Sequence, residues 1–130
     1  MDRERTIERY LSAWLRKDAS CLPEIFSEDV IYSECYGPEY DGLPQVLRWF
    51  EDWNRRGTVL RWEIKQMISQ QNVVVAEWYF ACEYDEEKSG FDGVSLVTFD
   101  GNGKIASLKE FQSKAEHTYP YGDYEDSTWG

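Results

Sequence analysis

Between Arg3 and Lys17 the apolar side chains Ile7, Tyr10, Leu11, Trp14 and Leu15 recur three or four residues apart, a spacing that predicts an amphipathic helix. Asp2 and Glu4 at its start and Arg16 and Lys17 at its end match the helix dipole. A shorter helical piece is expected from Cys21 to Phe26, with Ser20 as its cap. The apolar-rich run Val30-Ile31-Tyr32-Ser33-Glu34 then reads as a strand that ends in a turn-like stretch from Cys35 to Gly42. Leu43, Val46, Leu47, Phe50 and Trp53 return to the helical period behind Pro44, a residue tolerated in a first turn. A second long helix is therefore expected over residues 43–55, closed by Gly57 as a left-handed C-terminal cap.

Beyond Gly57 the period changes to two. Thr58 to Ser69, Val73 to Tyr84, Gly93 to Phe99 and Ile105 to Gln112 are β-rich runs separated by polar turns, and they read as four consecutive antiparallel strands. Helices first and a meander afterwards define an α+β class, with the helices on one face of a curved sheet. The length of 130 residues suits one domain, expected over 1–115. Residues 116–130 are polar, acidic and Tyr-rich without a sustained period, and read as a tail or a pocket lid.

Composition narrows the function classes. Six Trp and nine Tyr suit either an aromatic core or a small-molecule pocket lined with rings that carry a polar edge. A formal charge of −11 with no Lys/Arg run argues against a nucleic acid or an anionic membrane surface as partner. No stretch reaches transmembrane length. Cys21, Cys35 and Cys82 are odd in number and unclustered, and no basic-then-apolar leader follows Met1, so a reduced, cytoplasmic protein is expected. No His/Cys cluster has metal spacing and no Gly-rich fingerprint supports a nucleotide; no metal and no tightly bound cofactor are expected.

The order of elements, together with Phe26-Ser27-Glu28-Asp29-Val30, Asp41-Gly42-Leu43-Pro44 and Phe99-Asp100-Gly101-Asn102-Gly103-Lys104-Ile105, resembles the nuclear transport factor 2-like proteins of the SnoaL-like type over residues 3–115. The resemblance implies a cone-shaped, curved antiparallel sheet wrapped around the N-terminal helices, an apolar cavity open at one end, and a homodimer formed through the outer sheet face. Ketosteroid isomerases belong to the same superfamily. Laying the chain from Arg9-Tyr10-Leu11 to Glu34 on their pattern puts Tyr10 at the oxyanion-donor tyrosine and Glu34 at the catalytic carboxylate. The third isomerase position, a hydrogen-bond-donating aspartic acid, falls at Ser95, a poorer donor to a developing enolate. The Asp-Arg-Asp arrangement of the superfamily's epoxide hydrolases is not recognisable, and His117 lies too near the tail to serve as a dehydratase histidine.

Strand parity places Ala76, Trp78, Phe80 and Cys82 on one face, which the resemblance assigns to the cavity, and Leu108, Glu110 and Gln112 on the inward face of the last strand. Glu110 then faces Glu34 across the cavity, where like charge and desolvation both raise carboxyl pKa values. Ordinary alternatives remain: the rings fill a core, and Glu34 or Glu110 pairs with Arg48 or Arg61. Tyr10 and Trp14 share a helix face, while Trp49, Trp53 and Trp62 form either the cavity mouth or an interface. Two functions fit. One is a cofactor-free acid/base enzyme of isomerase, cyclase or dehydratase type on an apolar, carbonyl-bearing substrate. In it Glu34 is the base and Tyr10 the oxyanion donor, Ser95 and Glu110 assist, and Trp14, Trp53, Trp78, Phe80, Leu108 and Gln112 line the pocket. The other is a non-catalytic ligand-binding or dimeric interaction module.

Overall fold

A computed structural model describes residues 2–122. Helix α1 (Arg3–Arg16) starts where the Asp2 carboxylate accepts the backbone N–H groups of Glu4 and Arg5, two donors that lack partners inside the helix. It ends at Lys17, whose left-handed backbone turns its N–H back to Ala13 and Trp14. Helix α2 (Leu22–Ile25) is a single turn. Its cap position is held by Cys21 rather than Ser20, with no side-chain cap bond; Ser20 instead gives its backbone N–H to the Asp18 carboxylate at 2.9 Å.

Phe26 is the first residue of strand β1 (Phe26–Ser33), not the end of a helix. Glu34 follows directly, pinned from both sides: its N–H donates to the Pro38 carbonyl at 2.9 Å, and its carbonyl accepts from Gly37 at 3.1 Å. This closed turn lets β2 (Glu39–Asp41) fold back onto β1, so the stretch expected to be wholly turn contains a short strand. Helix α3 (Leu43–Arg56) runs into β3 (Gly57–Gln70) without a left-handed cap. Gly57 has φ −133°, ordinary extended backbone; a side chain is excluded there because its Cβ would lie 2.6 Å from the Tyr84 ring and 2.9 Å from Trp53.

Strand β4 (Val73–Tyr84) turns through Asp85 and Glu86, both left-handed, into β5 (Glu87–Phe99), which is six residues longer at its start than the period-two run suggests. Strand β6 (Ile105–Ser113) completes a six-stranded sheet of order β2-β1-β6-β5-β4-β3. Pairing is antiparallel except between β1 and β6, which run parallel. The sheet is thus mixed, because the chain enters it through β1 before crossing by α3 to the far edge.

One face of α1 supplies Ile7, Tyr10, Leu11 and Trp14 to a core that includes Phe26, Tyr32, Trp62, Trp78 and Phe99. Burying rings such as Phe26 and Phe99 contributes on the order of 2–3 kcal/mol each. Alternation along β4 follows from its pleat: Val74, Ala76, Trp78 and Cys82 are buried and their neighbours are half exposed. Residues 116–122 form no helix or strand and are exposed. The remainder of the segment expected to be a tail or lid, 123–130, lies outside the described residues.

Candidate active site in an aromatic compartment

The helices and the inner sheet face enclose a compartment walled almost wholly by rings. Trp14 comes from α1, Trp49 and Trp53 from α3, one turn apart, and Trp62 from β3. Trp78 and Phe80 alternate inward on β4, and Phe91 meets Phe80 from β5 at 5.3 Å between centroids. Edge-to-face contacts fix the walls: Trp14 on Trp53 at 5.4 Å and 88°, Trp62 on Trp78 at 5.5 Å and 87°. Trp78 can lie flat across its partner strand only because residue 93 is glycine; any Cβ there would strike its ring and the Phe111 carbonyl. Trp78 is also anchored, its indole N–H donating to the Ser95 hydroxyl at 2.9 Å.

Two carboxylates interrupt the aromatic wall, Glu34 and Glu110. Glu110 is held at both oxygens: Tyr32 donates its hydroxyl to one through a very short bond, and the Cys35 backbone N–H reaches the other at 3.4 Å. Behind Tyr32, the Tyr10 hydroxyl donates to the Tyr32 oxygen at 2.6 Å. The result is a relay, Tyr10 to Tyr32 to Glu110, leading from the core to the compartment. Desolvation pushes the Glu110 carboxyl up to about 7, against the lowering effect of Tyr32's hydrogen bond and with the Glu34 charge adding to the rise. Glu34 is also raised by desolvation, opposed by the Tyr40 hydroxyl that donates to it at 2.8 Å. Burial drives both relay tyrosines well above their ordinary value, so they stay protonated donors. The neighbouring Cys35 thiol is pushed up to about 12, first by desolvation and then by Glu110, which makes it an inert wall atom rather than a nucleophile.

Neither carboxylate has a cationic partner among the described residues. Arg48 faces Asp52 at 3.8 Å and Arg61 faces Glu63 at 2.8 Å, so the arginines that could have neutralised the pair are engaged elsewhere. The inner space is about 40 Å³, room for roughly three waters. It opens into an outer basin of about 850 Å³ that shares Glu34, Tyr36, Trp49 and Trp53 with it. The basin adds Tyr40, stacked on Trp49 at 4.7 Å and 14°, and a rim of both signs, Arg48, Asp52, Arg56, Glu87 and Lys88.

Of the residues singled out from sequence, Glu34, Glu110, Trp14, Trp53, Trp78 and Phe80 line the inner compartment, as do Trp49 and Trp62. Tyr10 does not: it is 1% exposed, and its hydroxyl is spent on Tyr32. Ser95 is buried behind Trp78 and holds that indole rather than facing the space. Leu108 is core, and Gln112 is exposed where β6 runs past the core. Tyr32, Cys35, Tyr36 and Phe91 were not singled out for the site. Tyr32 had a signal, since it shares strand parity with Glu34. Among the described residues no group of three or more His, Cys, Asp or Glu is placed to hold a metal, and no helix is long and apolar enough to cross a membrane.

A six-stranded sheet with α1 and α3 over its inner face, and a ring-lined compartment holding paired carboxylates, defines a pocket-forming α+β cone. The chain belongs to the SnoaL-like domain family, whose model matches residues 7–108. Solved structures of the same fold include an LEH-like epoxide hydrolase from M. tuberculosis, 15% identical over 85% of this chain and 82% of that one, with a TM-score of 0.76. A protein of ketosteroid isomerase-like fold from Catenulispora acidiphila, in complex with trimethylamine, is 16% identical over 85% of each chain, with a TM-score of 0.74. A steroid delta-isomerase from Pseudomonas aeruginosa is 17% identical over 87% of this chain and 80% of that one, with a TM-score of 0.63. At these identities the likeness is one of fold. No curated protein matches the chain.

Proposed function

We propose that this SnoaL-like protein binds a small organic molecule across the inner compartment and the outer basin, and moves a proton on it without a cofactor, with Glu110 as the base. One observation carries the reading: a carboxyl raised to about 7, hydrogen-bonded at both oxygens, opens onto a space walled by rings. A group with that value is divided between acid and base near neutral pH, which is where general acid–base transfer is most effective. Tyr32, not Tyr10, is the hydroxyl at Glu110, and Tyr10 acts through it as a positioning residue. Glu34, at the junction of the two spaces and held by Tyr40, is the second carboxyl, and its charge adds to the desolvation that raises Glu110.

The test is hydrogen–deuterium exchange in small ketones, including substituted and cyclic ones, followed by proton NMR in heavy water. Wild-type protein is expected to accelerate exchange α to the carbonyl, and Glu110→Gln to lose about a hundredfold or more of that rate with its fold intact. Equal rates in the two proteins would remove Glu110 from the chemistry and favour a purely ligand-holding role.

Other features bear on the protein's setting. Three free cysteines suit a reducing, cytoplasmic environment. Ile68, Leu96 and Phe111 leave apolar surface on strands β3, β5 and β6, which supports a homodimer through the outer sheet face. The Catenulispora protein, whose complex contains trimethylamine, supports the view that this fold accepts small organic molecules.

A further inference from the structure

The inner compartment combines three properties that together select a ligand. Its walls present the rings of Trp14, Trp49, Trp53, Trp62 and Trp78, whose faces carry negative electrostatic potential. Its charged groups are two carboxylates, beside the neutral indole N–H, thiol and hydroxyl edges of its walls, and among the described residues no Lys, Arg or His lines it. Neither carboxylate has an ion-pair partner among the described residues. A purely apolar ligand would leave Glu34 and Glu110 facing hydrocarbon, a costly arrangement for an ionised group. An anion would be repelled. A compact organic cation satisfies both the rings and the carboxylates at once.

We infer that the inner compartment takes the ammonium head of an amine ligand, methylated or quaternary, while the rest of the molecule extends into the outer basin. This deepens the preceding proposal and rests on its assignment of the compartment as the ligand site. Size agrees: a space of about 40 Å³, room for roughly three waters, suits a compact head and not a fused ring system. Direction agrees too. The cations Arg48, Arg56 and Lys88 lie on the outer basin, where Asp52 and Glu87 offset them, while the charged groups that line the inner compartment are the carboxylates Glu34 and Glu110. Holding the cation requires Glu34 and Glu110 to be ionised; proton transfer requires only that Glu110 can change state.

The experiment is calorimetric titration of the full chain with choline and with 3,3-dimethyl-1-butanol, its neutral isostere, near pH 8, backed by tryptophan fluorescence. Choline is expected to bind at least about tenfold more tightly than the alcohol. Glu110→Gln and Glu34→Gln, each confirmed folded by circular dichroism, are expected to narrow that gap, by weakening choline and by easing the cost of setting the alcohol's methyl groups beside an ionised carboxylate. Alcohol binding as tight as choline's would overturn the cation assignment while leaving a small-molecule site in place. Binding of neither probe would overturn it as well, and the ketone exchange assay would then decide the acid–base reading by itself. A choline preference that survives in both variants would also overturn it, because the carboxylates would not be its source.

Discussion

The inner compartment and the outer basin share four residues and obey opposite electrostatic rules. In the basin every arginine has a nearby acid: Arg48 pairs with Asp52, and Arg56 makes a bidentate contact with Asp85. Water reaches those pairs and screens their attraction. Inside, two carboxylates stand among rings, and their donors among the described residues are tyrosine hydroxyls and a backbone N–H. The comparison teaches that location rather than residue type makes Glu110 reactive. Asp52, Asp85 and Glu110 are all carboxylates; the first two stand half-exposed beside arginines, whereas Glu110 stands amid rings, without a cation among the described residues, and desolvation raises it to about 7.

The contrast breaks most visibly with pH. Glu110's pKa is raised on folding, so between its ordinary value of 4.5 and about 7 the native state keeps a proton that the unfolded state has lost. Stability is therefore expected to fall as pH rises through that window, by roughly 3 kcal/mol in all, and then to level off. Glu110→Gln, neutral throughout, should flatten the curve and melt above wild type at pH 8. Urea unfolding at a series of pH values checks this, and an unchanged slope in the variant would assign the dependence to other groups.

Next in size is the wall itself. Gly93→Ala pushes a methyl into the Trp78 ring and the Phe111 carbonyl. A loss of about 2 kcal/mol is expected, with altered tryptophan fluorescence, because Trp78 cannot lie flat without that glycine. Gly101→Ala, in a turn where nothing lies within 4 Å, is the control and should leave the compartment's fluorescence unchanged.

Smaller again is the relay. Tyr32→Phe removes a hydroxyl that both accepts from Tyr10 and stabilises ionised Glu110. It should cost about 1–2 kcal/mol and move Glu110 further upward, since the lost bond was lowering it. Tyr10→Phe should shift Glu110 less, because its hydroxyl reaches the carboxylate only through Tyr32. The smallest effect belongs to the basin: removing the exposed Arg56–Asp85 pair should leave the thermal midpoint nearly unchanged, and any change should vanish in high salt.

Much of this architecture was legible in the sequence, since the helical period of α1 and α3 and the period-two runs of β3, β4 and β6 are set by local burial patterns. Where pairing geometry rather than local pattern decides, the sequence was silent. The first six residues of β5 include Lys88, Ser89 and Gly90, poor strand formers that are extended because β4 pairs with them. Missing that half-strand hid Phe91 from the site. Cys35 and Tyr36 were hidden because turn chemistry says where the chain reverses, not what its side chains face. Parity correctly turned Glu110 inward, and gave Gln112 the same direction. It could not say that β6 outruns the core before Gln112, because parity gives direction and not depth. That Tyr10 reaches Glu110 through the interposed Tyr32 is a tertiary fact.

The chemistry turns on Glu110 being a carboxyl shared between acid and base near neutral pH. Its side-chain carboxyl resonance, assigned by difference with Glu110→Gln and followed by carbon NMR from pH 4 to 9, reads that state out. A midpoint near 7 that rises in Tyr32→Phe is the result expected. A midpoint near the ordinary 4.5, indifferent to Tyr32, would mean that water reaches the compartment freely and would contradict the account.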